Sequence, residues 1–144
     1  MNTDELMLND YVFVNNGIIV RRDRIIAIGA MNVTLSDGTI CNIAKISPIP
    51  LDDELLKHIG YTDCDSDFDR GIYHYYPGED NHITHSYIHI GHHKISDTYN
   101  FSCRDNTIVG IKYLHELQHA YKAFKVPITI DYVVDENIVN YATV

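Results

Sequence analysis

A chain of 144 residues, 45% of them hydrophobic, is one ordinary domain or two very small units sharing a core, and it is rich enough in apolar residues to exclude a disordered segment. Its 20 acidic against 11 basic residues leave a net charge of −9, and residues 51–105 carry most of the imbalance, with eleven carboxylates against four cations. An acidic middle repels phosphate backbones and offers no counterion-release gain, which disfavours sequence-independent nucleic-acid binding.

No apolar run of about 18 residues and no basic segment leading into an apolar one is present, so neither a membrane span nor a secretory signal is expected. The cytoplasm is the expected location. Cys41, Cys64 and Cys103 are an odd, widely spaced set without a C-x-x-C pair, a pattern that fits reduced thiols rather than a disulfide framework or a thiolate zinc site.

The first fifty residues read as short strands joined by tight turns. Residues 11–14 are followed by Asn15-Asn16-Gly17, then 18–20, and residues 24–28 give another β-rich run ending at Gly29. The run between them, Arg21-Arg22-Asp23-Arg24, is the one basic cluster and reads as a solvated turn. Residues 32–35, the turn Ser36-Asp37-Gly38 and residues 39–46 make a hairpin, because Asp-Gly supplies the positive φ angles of a tight turn. Strands packed this closely predict a small SH3-like barrel or a meander over residues 1–50.

Pro48-Ile49-Pro50 stops the sheet, and residues 51–58 predict a short helix with an acidic first turn, a basic last turn and Gly60 beyond its end. That helix is expected to plug one end of the barrel. Residues 62–71 form an acidic loop, and residues 72–76, 82–90 and 95–102 are strand candidates of an antiparallel sheet, with Gly91-His92-His93 read as a separator. Residues 107–124 predict the main helix, capped by Asp105 or Asn106, and residues 126–134 a last strand. The expected class is therefore α+β, with a second unit over residues 51–144 that shares a core with the first. No internal repeat or low-complexity segment interrupts the pattern.

His115-Glu116-Leu117-Gln118-His119 spells H-E-x-x-H. On a helix, two imidazoles one turn apart can share a Zn²⁺ while the glutamate activates its bound water. At about 100° per residue, however, Tyr113, Leu114, Leu117, Ala120, Tyr121 and Phe124 gather on one face and the two histidines fall opposite, towards water, beside Lys112 and Lys122. A catalytic zinc also needs a third ligand. The extended H-E-x-x-H-x-x-G-x-x-H form fails at Lys122 and Lys125, leaving only Asp135 or Glu136 for a hydrolase.

Six of the nine histidines (His74, His82, His85, His89, His92 and His93) crowd the middle strands. In an extended strand His85, Tyr87 and His89 share a face, and a metal would bridge two imidazoles there only with help from a neighbouring strand such as that of His74. The loop Asp63-Cys64-Asp65-Ser66-Asp67-Phe68-Asp69 alternates carboxylates as a calcium loop does, yet Phe68 stands where the turn needs glycine and His74 where a glutamate should close the site. No nucleotide-binding glycine loop or G-x-S-x-G motif occurs.

Leu8-Asn9-Asp10-Tyr11-Val12, the segment Pro48-Ile49-Pro50-Leu51-Asp52-Asp53-Glu54-Leu55-Leu56-Lys57-His58-Ile59-Gly60-Tyr61, and Ile111-Lys112-Tyr113-Leu114-His115-Glu116-Leu117-Gln118-His119-Ala120-Tyr121 resemble a family of small proteins from Bacteroidales phages, prophages and mobile elements. The family patterns are L-R-I-G-N-x-V, I-P-L-T-x-E-x-L-L-x-x-x-G-F and I-K-Y-[VL]-H-Q-L-Q-N-L-Y-x-A-L. The resemblance implies a phage or prophage origin and an α+β fold, and no activity. It also places glutamine where this chain has Glu116 and asparagine where it has His119, which argues against a metallopeptidase family.

The leading expectation is a non-enzymatic phage or prophage accessory protein, without a cofactor, that binds a host or phage protein. A minimal zinc-dependent hydrolase is the alternative, with His115 and His119 as metal ligands and Glu116 as base. A small-ligand-binding homo-oligomer, using His85, Tyr87 and His89 at a pocket between subunits, is the third.

Overall fold

The computed structural model describes residues 1–15, 17, 20–63, 71–79, 82–83, 87–127 and 130. Two compact units arise, one built on Met1–Ile49 and the other on Pro50–Asp131.

In the first unit, a single 3-10 turn at Thr3–Glu5 leads into β1 (Tyr11–Asn15), β2 (Val20–Ile28), β3 (Asn32–Leu35) and β4 (Ile40–Asn42). A second 3-10 turn at Ile43–Lys45 then redirects the chain into β5 (Ile46–Pro48). The sheet order is β4-β3-β2-β1-β5, with every pairing antiparallel. β4 and β5 lie at opposite ends of this path, so among the described residues the sheet is an open meander whose last strand returns beside its first. Barrel closure is not seen. The core is the inward set of alternating residues, Val12, Val14, Ile25, Val33 and Leu35, joined by Leu6, Ile43 and Ile46. Gly38 takes φ +88° in the β3–β4 turn, where Thr39 N–H donates to Asp37 Oδ1 at 2.9 Å.

The cluster Arg21-Arg22-Asp23-Arg24 is a correction to the sequence reading, since it lies inside β2 and not in a turn. Alternation is the cause. Asp23 points to the buried side at 0% exposure, while the arginines around it stay half-exposed. Its carboxylate accepts from Arg21, from the Ser36 hydroxyl and from the Arg24 amide, so the basic residues serve a buried acid.

In the second unit, α1 (Asp53–His58) starts at Asp52, whose carboxylate accepts from Leu55 N–H at 2.6 Å, and ends before Gly60, which takes φ +106°. This is the helix expected at residues 51–58, and it belongs to the second unit. The strands β6 (Tyr61–Asp63), β7 (Ile72–Glu79), β8 (His82–Ile83), β9 (Ile88–His93), β10 (Thr98–Cys103) and β11 (Asn106–Ile111) precede α2 (Leu114–Ala123). The sheet order is β11-β10-β9-β7-β6, antiparallel throughout, with β8 paired to β7.

Its inner face presents Tyr75, Ile88, Ile90, Tyr99, Phe101 and Cys103, all buried. α1 adds Leu55 and Leu56 to the buried set, and α2 adds Leu114, Leu117, Ala120 and Tyr121. The Phe101 ring meets those of Tyr121 and Phe124 at centroid distances of 5.3 and 5.9 Å, which fixes the packing of α2 on β10. Burial of Phe101 alone contributes about 3 kcal/mol.

Three expectations in this unit change. The main helix begins at Leu114, and residues 106–111, expected in its first half, form β11 with Asn106 as a strand residue and not an N-cap. Thr107-Ile108-Val109 is β-branched and finds a ladder partner in β10, which outweighs its helical spacing. Gly91-His92-His93, expected to separate strands, completes β9, because β7 and β10 pair with all three residues. The acidic stretch expected at 62–71 opens with β6, and residues 64–70 lie outside the described set, as do most of residues 126–134. No helix among the described residues is long and apolar enough to cross a membrane.

Candidate functional site

Three constellations of chemically active side chains stand in the second unit, and the sequence pointed clearly at only one of them. The H-E-x-x-H stretch is helical, as the spacing predicts, but its orientation is not the expected one. His115 is buried at 6% exposure and His119 is half-buried. The His115 ring stacks on Tyr113 with centroids 5.9 Å apart and meets His119 edge-on at 5.4 Å. Glu116 Oε1 accepts from the Lys112 and Tyr113 amides at 3.1 Å each, so the would-be general base caps the first turn of its own helix. Asp135 and Glu136, the acidic residues considered as a third ligand, lie outside the described residues, as does Cys64 with its carboxylate loop. Cys41 and Cys103 are free thiols.

The second constellation was not legible in the sequence. His92, on the inner face of β9 with its side chain 4% exposed, lies between two carboxylates: Nδ1 is 2.8 Å from Asp53 Oδ1 and Nε2 is 2.9 Å from Asp97 Oδ1. Both ring nitrogens act as donors there only in the imidazolium form. The ring stacks nearly flat on Tyr99, with centroids 4.0 Å apart and planes at 9°. Lys94 Nζ donates to the other oxygen of Asp53 at 2.5 Å and lies 4.6 Å from the Tyr73 ring centre. Burial pushes the Asp53 carboxyl up, but hydrogen bonds from Lys94, Tyr75 and His92 outweigh it and hold the group below the ordinary aspartate value. Burial, with Asp53 close by, raises the Tyr75 and Tyr99 phenols well above the ordinary tyrosine range. The Tyr99 hydroxyl is buried without a hydrogen-bond partner among the described residues. With its acids already bonded to its bases, this cluster ties α1 to the β9–β10 hairpin.

The third constellation covers the outer face of the same sheet. Cross-strand registry sets it out in rows, with Ile72, His93 and Thr98 in one, and His74, Gly91 and Asn100 in the next. His89 faces Ser102 in the third row, and the Tyr76 ring leans on His89 with centroids 5.0 Å apart. All of these side chains are half-buried. His74 reaches diagonally past Gly91, so that its Nδ1 stands 2.6 Å from His89 Nε2 and the rings overlap at a centroid distance of 4.8 Å. Burial first, and the His74 charge second, hold the His89 imidazole below its ordinary value and favour the neutral ring.

Asn100 organises the other side of the gap. Its amide nitrogen lies 3.0 Å from His93 Nε2, and its oxygen accepts from Gly110 N–H at 3.2 Å. The register between β10 and β11 shifts at this point, where Gly110 takes φ +76°.

Of the trio His85, Tyr87 and His89, the last stands on this face. Tyr87 precedes β9 and carries the Arg104 guanidinium 5.0 Å from its ring centre, and His85 lies outside the described residues. The sequence signal that would have extended the face was the alternation of His89, Gly91 and His93.

Comparison of the sequence with protein-family models and with curated proteins, and of the fold with solved structures, finds no match.

Proposed function

We propose that this chain is a non-enzymatic accessory protein of a phage or prophage, acting in the bacterial cytoplasm by binding a host or phage protein through the outer face of its second sheet. The observation that carries this reading is the composition and order of that face. Tyr76, His74, His89, His93 and Asn100 stand in registered rows on three paired strands, half-buried, with Ile72 at the edge. Aromatic rings with polar tips, held rigid, recognise partners at low entropic cost. The engagement of Glu116 in a helix cap favours binding over hydrolysis. The resemblance of three sequence blocks to small phage and prophage proteins supports the origin.

The strand order of the first unit also supports a finer reading of its fold. A meander whose fifth strand returns beside the first after a 3-10 turn has the order of an SH3-like barrel, a scaffold known for peptide recognition.

Site-specific photo-crosslinking tests the proposal. A photoreactive residue at Ser102, on the face, is expected to capture one discrete protein from host or phage-infected lysate, and the same residue at exposed Glu54 on α1 is not. Equal capture from both positions, or from neither, removes the assignment.

A further inference from the structure

Two imidazole nitrogens from different strands rarely converge without a proton or a metal between them. His74 Nδ1 and His89 Nε2 are 2.6 Å apart, closer than the roughly 2.9–3.4 Å, from right-angled to tetrahedral geometry, between two nitrogens that share a cation at about 2.0–2.1 Å each. The pair needs to open by about 0.3–0.8 Å. Gly91 stands beside the pair in the same sheet face, where a Cβ would make only ordinary contacts, with His89 Cε1 at 3.7 Å, His93 Nε2 at 3.9 Å and Ile72 Cγ2 at 4.0 Å.

From this convergence we propose that His74 and His89 form a two-imidazole site for a late first-row divalent cation, of the copper or zinc class, on the outer face of the second sheet. Imidazole nitrogen selects these ions over magnesium and calcium, which require oxygen ligands. No third His, Cys, Asp or Glu is grouped with the pair among the described residues, so water completes the coordination shell. His93 is not a ligand, because Asn100 already occupies its Nε2. On binding, two nitrogen-to-metal bonds form and the imidazole–imidazole hydrogen bond breaks. The proton that lay between the rings is released to solvent or, where the pair is neutral, passes to the other nitrogen of its own ring, so that both imidazoles bind as neutral ligands. The site is separate from the H-E-x-x-H helix, and it does not depend on the protein-binding reading.

The test is a Cu²⁺ titration of untagged protein followed by electron paramagnetic resonance. The wild-type chain is expected to take up one tightly held ion with hyperfine coupling to two nitrogens. His74→Gln and His89→Gln should each weaken binding about tenfold or more. His119→Gln should leave it unchanged. A wild-type spectrum without nitrogen coupling overturns the site. So does binding that survives the His74 and His89 substitutions, or that is lost in His119→Gln.

Discussion

In the first unit, buried Asp23 draws its side-chain partners from Arg21 on its own strand and Ser36 in the turn just after β3, no more than 13 residues away. In the second, Asp53 is held by His92 and Lys94, 39 and 41 residues further along, across the seam between a helix and a sheet. The first network exists as soon as β2 and β3 pair. The second exists only after α1 has docked, so it reports tertiary packing, and losing it should loosen a seam without dissolving a hairpin. A bonded carboxylate is therefore a local device in the first unit and a long-range clamp in the second.

The largest effect that would break this contrast is expected from Asp23→Ala. It leaves the Ser36 hydroxyl and the Arg24 amide without their buried acceptor and costs about 2–3 kcal/mol, read as faster amide exchange confined to residues 1–49. Exchange that accelerates equally in both units would show that the network is not local.

Acid should act next, on the second unit. Asp53 is held below its unfolded value, so the stabilisation it contributes is fully present above the ordinary aspartate value of 3.8 and is lost as pH falls through the lower folded value. Thermal melts of the wild type should therefore fall steeply below about pH 4. Asp53→Asn should be less stable at neutral pH and lose less on acidification. A variant that keeps the full wild-type acid dependence would place the titrating group elsewhere.

The smallest effect concerns the exposed end of the first network, where Arg21 also reaches Asp37 at 3.0 Å. Asp37→Asn, which keeps an acceptor for Thr39 N–H, should shift stability by no more than about 0.5 kcal/mol and lose even that in high salt. A larger change in denaturant melts would extend the Asp23 network to the surface.

Much of the first unit was legible because its signals are short-range. The Ser36-Asp37-Gly38 turn, the alternation that buries Val12, Val14 and Ile25, and the prolines that end β5 each act within a few residues. The basic cluster was misread for the same reason: a run of charges looks solvated until the neighbouring strand brings Ser36 to Asp23. In the second unit, residues 106–111 carry helical spacing, and only the offer of a ladder by β10 makes them a strand. The histidine run showed that imidazoles crowd these strands, but not which of them meet.

By itself the sequence determined an acidic α+β chain, the position and C-terminal end of α1, and the helical state of the H-E-x-x-H stretch, because capping, turn chemistry and periodicity operate over three or four residues. Tertiary structure decided that His92 lies between Asp53 and Asp97, and that His74 meets His89 across Gly91. Those contacts depend on strand register, and register is set by pairing partners far away in the chain, where a shift of one residue turns every side chain to the opposite face.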